Sequence, residues 1–272
     1  MKWLKTTICV ALALLITTSA AAQAGREIRL SPLDVDAYPI ITVYLDAFER
    51  DGSVITEIIQ DQVSLRENGI QQELIDFQSL KPGIQLVVAF NNSPAFALQD
   101  INANSRFDFV KEGLLNWLDQ PIQSSPDDLS LISNDGLETT HLEDRDQIQA
   151  ILTEYEPDLE DTEPNLNVLA RAIEIASDPV QQPGMKKAVL FISTPPSSDS
   201  LAAFESLLSQ ARESQVQIYT LLISSPLSIS SEGASRLQDL ALETRGGFYP
   251  FTGEEPLVDL GMVFNPLRTT YL

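Results

Sequence analysis

Ile84-Gln85-Leu86-Val87-Val88-Ala89-Phe90 decides the fold. Only Gln85 is polar, so a strand of this composition has no face to offer to water and is covered on both sides. Two later stretches share the texture: Ala188-Val189-Leu190-Phe191-Ile192, and Val216 to Ile223. Between them apolar residues recur at helical spacing. One series is Phe107, Val110, Leu114, Leu115 and Leu118; a second is Ile148, Ile151, Leu152 and Tyr155. Further series run Leu166, Leu169, Ala170, Ile173, then Leu201, Phe204, Leu207, Leu208, Ala211, then Leu237, Leu240, Ala241. Leu129 to Ile132 reads as a short strand and Leu137 to Leu142 as an edge strand. Gly246-Gly247 stops a helix ahead of a strand at Phe248-Tyr249, and Pro256 suits the first position of a last helix. Strands alternating with helices predict an α/β fold: a doubly wound, mostly parallel sheet with helices on both faces. Such sheets bind ligands at the carboxyl ends of their strands, where the strand order reverses. The loops after Phe90, after Ile192 and before Leu166 are therefore the ones that matter.

Upstream, the pattern is different. Ile40 to Leu45 has strand composition, Asp51-Gly52 and Asn68-Gly69 are hairpin-type turns, and Val63-Ser64-Leu65 alternates as a half-buried strand does. Leu74 to Phe77 reads as the next strand. Residues 25–82 thus form a small β-rich segment ahead of the α/β domain at 83–272. Residues 1–24 read as a signal peptide: Lys2 and Lys5, an apolar run from Ile8 to Ile16, and Ala22-Gln23-Ala24 before a mature start at Gly25. The apolar run is about half of the roughly 20 residues that span a bilayer. The expectation is export through a cleaved signal to a periplasmic, cell-surface or extracellular place, with no membrane insertion of the mature chain.

The single cysteine, Cys9, falls inside that signal, which leaves the rest without disulfide, thiolate ligand or thiol nucleophile. Without Lys2 and Lys5 the chain carries 39 acidic and 15 basic side chains, a formal charge of −24. That charge argues against nucleic acid and anionic lipid as partners and favours solubility, cationic partners or divalent ions.

The region 84–268 resembles the von Willebrand factor type A family. The resemblance is carried by the first apolar strand running into Asn91-Asn92-Ser93-Pro94-Ala95, by the helix from Leu166 to Ala176, and by the strands Lys186 to Ser193 and Val216 to Leu221. Its most specific part is Leu240-Ala241-Leu242-Glu243-Thr244-Arg245-Gly246-Gly247-Phe248-Tyr249, in which Arg245 intrudes before the glycine pair. Val63 to Gly69 resembles the short segment that precedes type A domains in many bacterial exported proteins. In that family a metal-ion-dependent adhesion site uses Asp-x-Ser-x-Ser, a Thr and a second Asp. The matching positions here are Asn91, Ser93, Ala95, Pro164 and Thr194, of which only Ser93 is kept. With both aspartates gone, little remains to offset the stripping of water from a hard cation. The resemblance therefore implies an adhesion-type, protein-binding module with a degenerate metal site and no cofactor, weak Mg²⁺ or Ca²⁺ binding being the alternative. Asn92, Pro94, Thr162, Asn165 and Pro195 complete the loops expected to face an unknown protein ligand. A structural domain of a larger envelope or surface protein is the other reading.

Enzyme chemistry finds no footing. His141 is the only histidine and reads as a surface or edge residue. Ser93 follows a strand, but Asn-Asn-Ser-Pro-Ala is not a nucleophile elbow, and Pro94 removes an N–H that an oxyanion would need. Neither a Walker loop nor G-x-G-x-x-G is present. The acidic stretch from Glu154 to Glu163 lacks the glycine of a calcium loop. Trp117 reads as core. Thr269-Thr270-Tyr271-Leu272 has the composition of half a strand, expected to be completed by a further C-terminal domain or a partner chain.

Overall fold

A computed structural model describes residues 27–49, 52–122, 125–160 and 162–272. The expected signal, Cys9 and Asp51 lie outside these residues. In chain order the strands are β1 (Glu27–Leu30), β2 (Leu45–Phe48), β3 (Arg66–Glu67), β4 (Ile70–Gln71), β5 (Ser79–Leu80), β6 (Ile84–Asn91), β7 (Asp128–Ser133), β8 (Glu138–Leu142), β9 (Lys186–Ser193), β10 (Val216–Ile223), β11 (Phe248–Phe251) and β12 (Thr270–Tyr271). The helices are α1 (Arg106–Asp119), α2 (Arg145–Glu154), α3 (Asn167–Ser177), α4 (Phe204–Glu213), α5 (Glu232–Glu243) and α6 (Leu260–Phe264).

Six strands form one sheet in the order β11-β10-β9-β6-β7-β8, parallel except for β8 at the edge. The apolar run 84–90 is its centre and is wholly buried. Its alternation sorts side chains to two cores: Ile84, Leu86, Val88 and Phe90 meet α1, α2 and α6, while Val87 and Ala89 meet α3, α4 and α5. This is the doubly wound α/β architecture, with helices on both faces. Side chains start the helices: Ser105 and Asp108 close a capping box on α1, and Asp144 and Ser231 cap α2 and α5. From β6 the chain first builds toward β8, then returns past β6 to β9, so the order reverses between Asn91 and Ser193, which are register partners. Gly246 earns its place here, since a Cβ on it would overlap the carbonyl oxygen of Ile218 in β10.

The upstream segment departs from its sequence pattern in several places. Its sheet has the order β1-β2-β12-β5, and the last strand of the chain sits inside it. Tyr271 pairs with Leu45 on one side and Ser79 on the other, and Leu272 and Gln78 exchange two backbone hydrogen bonds of 2.9 Å. The expectation of an unpaired stub at 269–272 is overturned: both edges of β12 are taken from within the chain. Strand structure begins at Leu45 rather than at Ile40, because Ile40 and Ile41 stay exposed and Thr42 makes only one bridge, to Asp34. Val63 to Leu65 and Leu74 to Phe77 lie outside strands; pairing falls instead at 66–71 across the Asn68-Gly69 turn and at Ser79–Leu80. Asn68 and Gly69 both have positive φ, as that turn requires. Pro256 does not start the last helix. Leu257, outside any helix, packs on Gly113 of α1, and Asp259 caps a helix that begins at Leu260.

Charged side chains join the two sheets. Lys186, buried at the start of β9, pairs with Asp46 of β2 at 2.7 Å and donates to the carbonyl of Thr269. Arg245, the residue that interrupts the glycine signature, has φ of 61° and grips the carboxylate of Glu27 in β1. Trp117 is core, as its spacing suggested, with the guanidinium groups of Arg145 and Arg268 at 5.3 and 5.5 Å from its ring.

Candidate functional site

The end of β6 places Asn91 beside Ser193 and against the loop that leads into α3. The Oδ1 of Asn91 accepts the backbone N–H of Asn165 at 2.8 Å, which fixes the amide orientation. Its Nδ2 then donates to the Ser193 hydroxyl at 2.8 Å, and that hydroxyl donates to the carbonyl of Thr194 at 2.8 Å. One buried side chain thus ties three loops together. Asn92 begins a second chain. Its Nδ2 donates to the Tyr155 hydroxyl at 2.6 Å, which donates to Asp135 at 2.8 Å. Asn134 clamps the backbone of Asn92 from both sides, accepting from its N–H and donating to its carbonyl, and also donates to the carbonyl of Glu163. Burial first, then the Asp135 carboxylate, push the Tyr155 phenol well above its ordinary value, so it stays a donor. The ring of Tyr155 sits on Phe90 and Phe107, at 5.5 and 5.8 Å between centroids.

Asn91, Asn92, Ser93, Asn165 and Thr194 therefore come together at the reversal point. Thr162 does not join them; its hydroxyl turns back to the carbonyl of Asp158 in its own loop. Pro94 and Pro164 are exposed, and Ala95 and Pro195 are half-buried. None of Asn91, Ser93, Ala95, Pro164 and Thr194 supplies a carboxylate, and among the described residues no group of three or more His, Cys, Asp or Glu could hold a metal ion. Asn134, Asp135 and Tyr155 were not anticipated. Asn134-Asp135-Gly136 reads as an ordinary turn, and Tyr155 as the end of a helical stripe, so neither advertises a polar role.

Two features remain open. The hydroxyl of Ser93 and the Oδ1 of Asn92 are buried without a hydrogen-bond partner. The connections after β6 and β10 expose large apolar side chains: Ile101 is 99% exposed and Leu227 91%, with Leu98 also exposed. Two surface depressions, of about 500 and 370 Å³, flank α6 and its approach at Gln120 and Asp259.

A second polar cluster sits at the amino ends of the strands. His141 lies on the edge strand β8, as expected, with Nδ1 at 2.9 Å from buried Asp128 and Nε2 at 3.1 Å from Asp178. Burial disfavours its charged form, but hydrogen bonding and charge from Asp128, then Asp178, outweigh this and raise its pKa above the ordinary value.

Comparison with known proteins gives a fold and little else. No family model matches the chain, and no curated protein does. Among solved structures, the conserved hypothetical protein BatB from Bacteroides thetaiotaomicron superposes with a TM-score of 0.51 at 14% identity, over 68% of this chain and 97% of that one. An aerotolerance-related membrane protein from Bacteroides fragilis gives 0.50 at 17% identity, over 68% and 98%. The superpositions agree with the doubly wound α/β fold. At these identities the likeness concerns the fold alone. Among the described residues, no helix is long and apolar enough to cross a membrane.

Proposed function

We propose that this chain is an exported, non-enzymatic protein-interaction module whose contact surface is the loop set at the carboxyl ends of its strands, and that it works without a metal. The observation that carries the reading is the wiring of Asn91. Its oxygen is committed to the N–H of Asn165, and its other atom is an N–H donor facing Ser193, where a cation would need an oxygen. The loops that a metal would hold together are held by an amide instead. Exposed Ile101 and Leu227 on these loops support recognition of another protein. The leader-like sequence at 1–24 supports export.

Thermal unfolding tests the metal-free reading. A ligand bound only by the folded state adds about 2.7 kcal/mol at a hundredfold excess over its Kd. The melting temperature should be the same in millimolar Mg²⁺ and in EDTA; a rise of several degrees with Mg²⁺ sinks the reading. For the surface itself, a photo-cross-linker placed at position 227 should capture a partner in the native compartment, whereas one at Leu242 on α5 should not. Equal capture at both removes the loop face from consideration.

A further inference from the structure

His141 sits in a bulge of the edge strand. Leu129 pairs with Leu142 and Leu131 with Thr139, so Thr140 and His141 together stand opposite Ser130. His141 has φ of 57°, and its N–H goes to the Ser130 hydroxyl instead of a backbone carbonyl. A bulge re-aims a side chain. Here the imidazole spans two carboxylates, Asp128 at the start of β7 and Asp178 where α3 ends. Carboxylates only accept, so a ring that serves both must donate from both nitrogens, which imidazolium alone can do. A neutral ring keeps one proton. Asp128 is 1% exposed, its Oδ1 has no partner, and its Oδ2 relies on the ring. Asp178 is 58% exposed and can turn to water. The last proton therefore stays on Nδ1, against Asp128, and Nε2 is left with a lone pair facing the Asp178 carboxylate.

Asp178 also opens the connection from α3 to β9, residues 178–185. The backbone there is held by Gln85, which donates to the Asp178 carbonyl at 3.2 Å, and by Lys187, which donates to the Ser177 carbonyl at 2.8 Å. At the far end Gly184 lies so close to Tyr44 and Thr270 of the small sheet that a Cβ would overlap both. We infer that His141 is a pH-operated clasp: protonated, it fastens β8 to the exit of α3; neutral, it keeps Asp128, lets Asp178 go and loosens the connection that runs on to the small sheet. The other charged groups around it are Lys187 of β9, which faces Asp178, and Arg171 of α3, which holds Glu138 of β8 and Glu174. Burial opposes protonation of the ring, the two carboxylates outweigh it, and the folded pKa is raised above 6.5. The clasp is thus closed on the acid side and opens as the pH rises through that value.

The test is nuclear magnetic resonance of the full chain, in which His141 is the only histidine and its ring signals are unambiguous. At pH 8.5 the neutral ring should carry its proton on Nδ1, the reverse of the tautomer that unconstrained histidine prefers. Backbone order parameters at Val180, Gln181, Gln182 and Gly184 should fall from about 0.85 at pH 5.5 toward about 0.6 at pH 8.5. Asp178→Asn supplies an amide N–H to the bare Nε2, so this variant should hold the higher values at both pH values. In His141→Gln the order parameters should be independent of pH. A proton on Nε2 at pH 8.5 overturns the inference. So do order parameters that do not change with pH in the unaltered chain, or a change that persists in His141→Gln.

Discussion

At position 91, exchanging an amide nitrogen for an oxygen would reverse one hydrogen bond. Asn91→Asp keeps the acceptor for Asn165 but replaces the donor to Ser193 with a buried charge. Urea unfolding in EDTA should show a loss of about 1–3 kcal/mol. Combined with Ala95→Ser, Pro164→Thr and Thr194→Asp, the variant should gain Mn²⁺ affinity in calorimetry; a folded quadruple variant with no heat signal means the loops no longer have the right backbone. His141 gives a pH signature. Its folded pKa lies above 6.5, so its contribution is complete below that value and fades as the pH rises through the folded pKa. The groups facing it are Asp128 from β7 and Asp178 after α3, the latter also near Lys187 of β9. The stability gap between the protein and His141→Gln should therefore be larger at pH 5.5 than at pH 8.5. A gap that widens with pH contradicts the assignment. The strand pattern and the family resemblance pointed to the loops that hold Asn91 and Asn165 but not to Asn134 and Tyr155, because hydrogen bonds between distant loops leave no period in a chain.

The elements were legible in proportion to how much of themselves they bury. β6, β9 and β10 are buried on both faces, so composition alone announced them, and the helical stripes named the buried sides of α1 to α5. The two-residue strands β3, β4, β5 and β12 are too short to show a period, and β12 pairs with a partner more than two hundred residues away. β12 is the sharpest case. Tyr271 looked like the start of something unfinished, yet it is buried, stacks on Phe77 at 5.4 Å, and its hydroxyl accepts the N–H of Ile58. Tyr271→Ala should cost about 3–5 kcal/mol in denaturant unfolding. In hydrogen exchange, the amides of Tyr271 and Leu272 should be as slow as those of β2; rapid exchange of all four residues 269–272 rules out the pairing described.

For the molecule as a whole, the small sheet and the large one are joined through buried charge as well as apolar contact. Burial pushes the Lys186 ammonium below its ordinary pKa and Asp46 opposes this, so the pair stands or falls together. Removing one partner strands the other: Lys186→Met alone should lose about 3–5 kcal/mol. Lys186→Met with Asp46→Leu should recover most of it, giving a large coupling in a double-mutant cycle. Additive losses show that the two sheets are not coupled through this pair. Arg245 with Glu27 is half-exposed, and its removal should cost under about 1 kcal/mol.

The place of β12 also sets an order of events. A chain that emerges amino end first exposes β2 and β5 long before residue 270 follows, and the strand that belongs between them is still to come. Everything from β6 to β11 is by then available to assemble. Through that interval the small sheet is held open, its inner edges unprotected templates for any strand that arrives first. Thr269 and Tyr271 act as a latch that only late-emerging residues can throw, delivering the carbonyl to Lys186 and the ring to Phe77 in one movement.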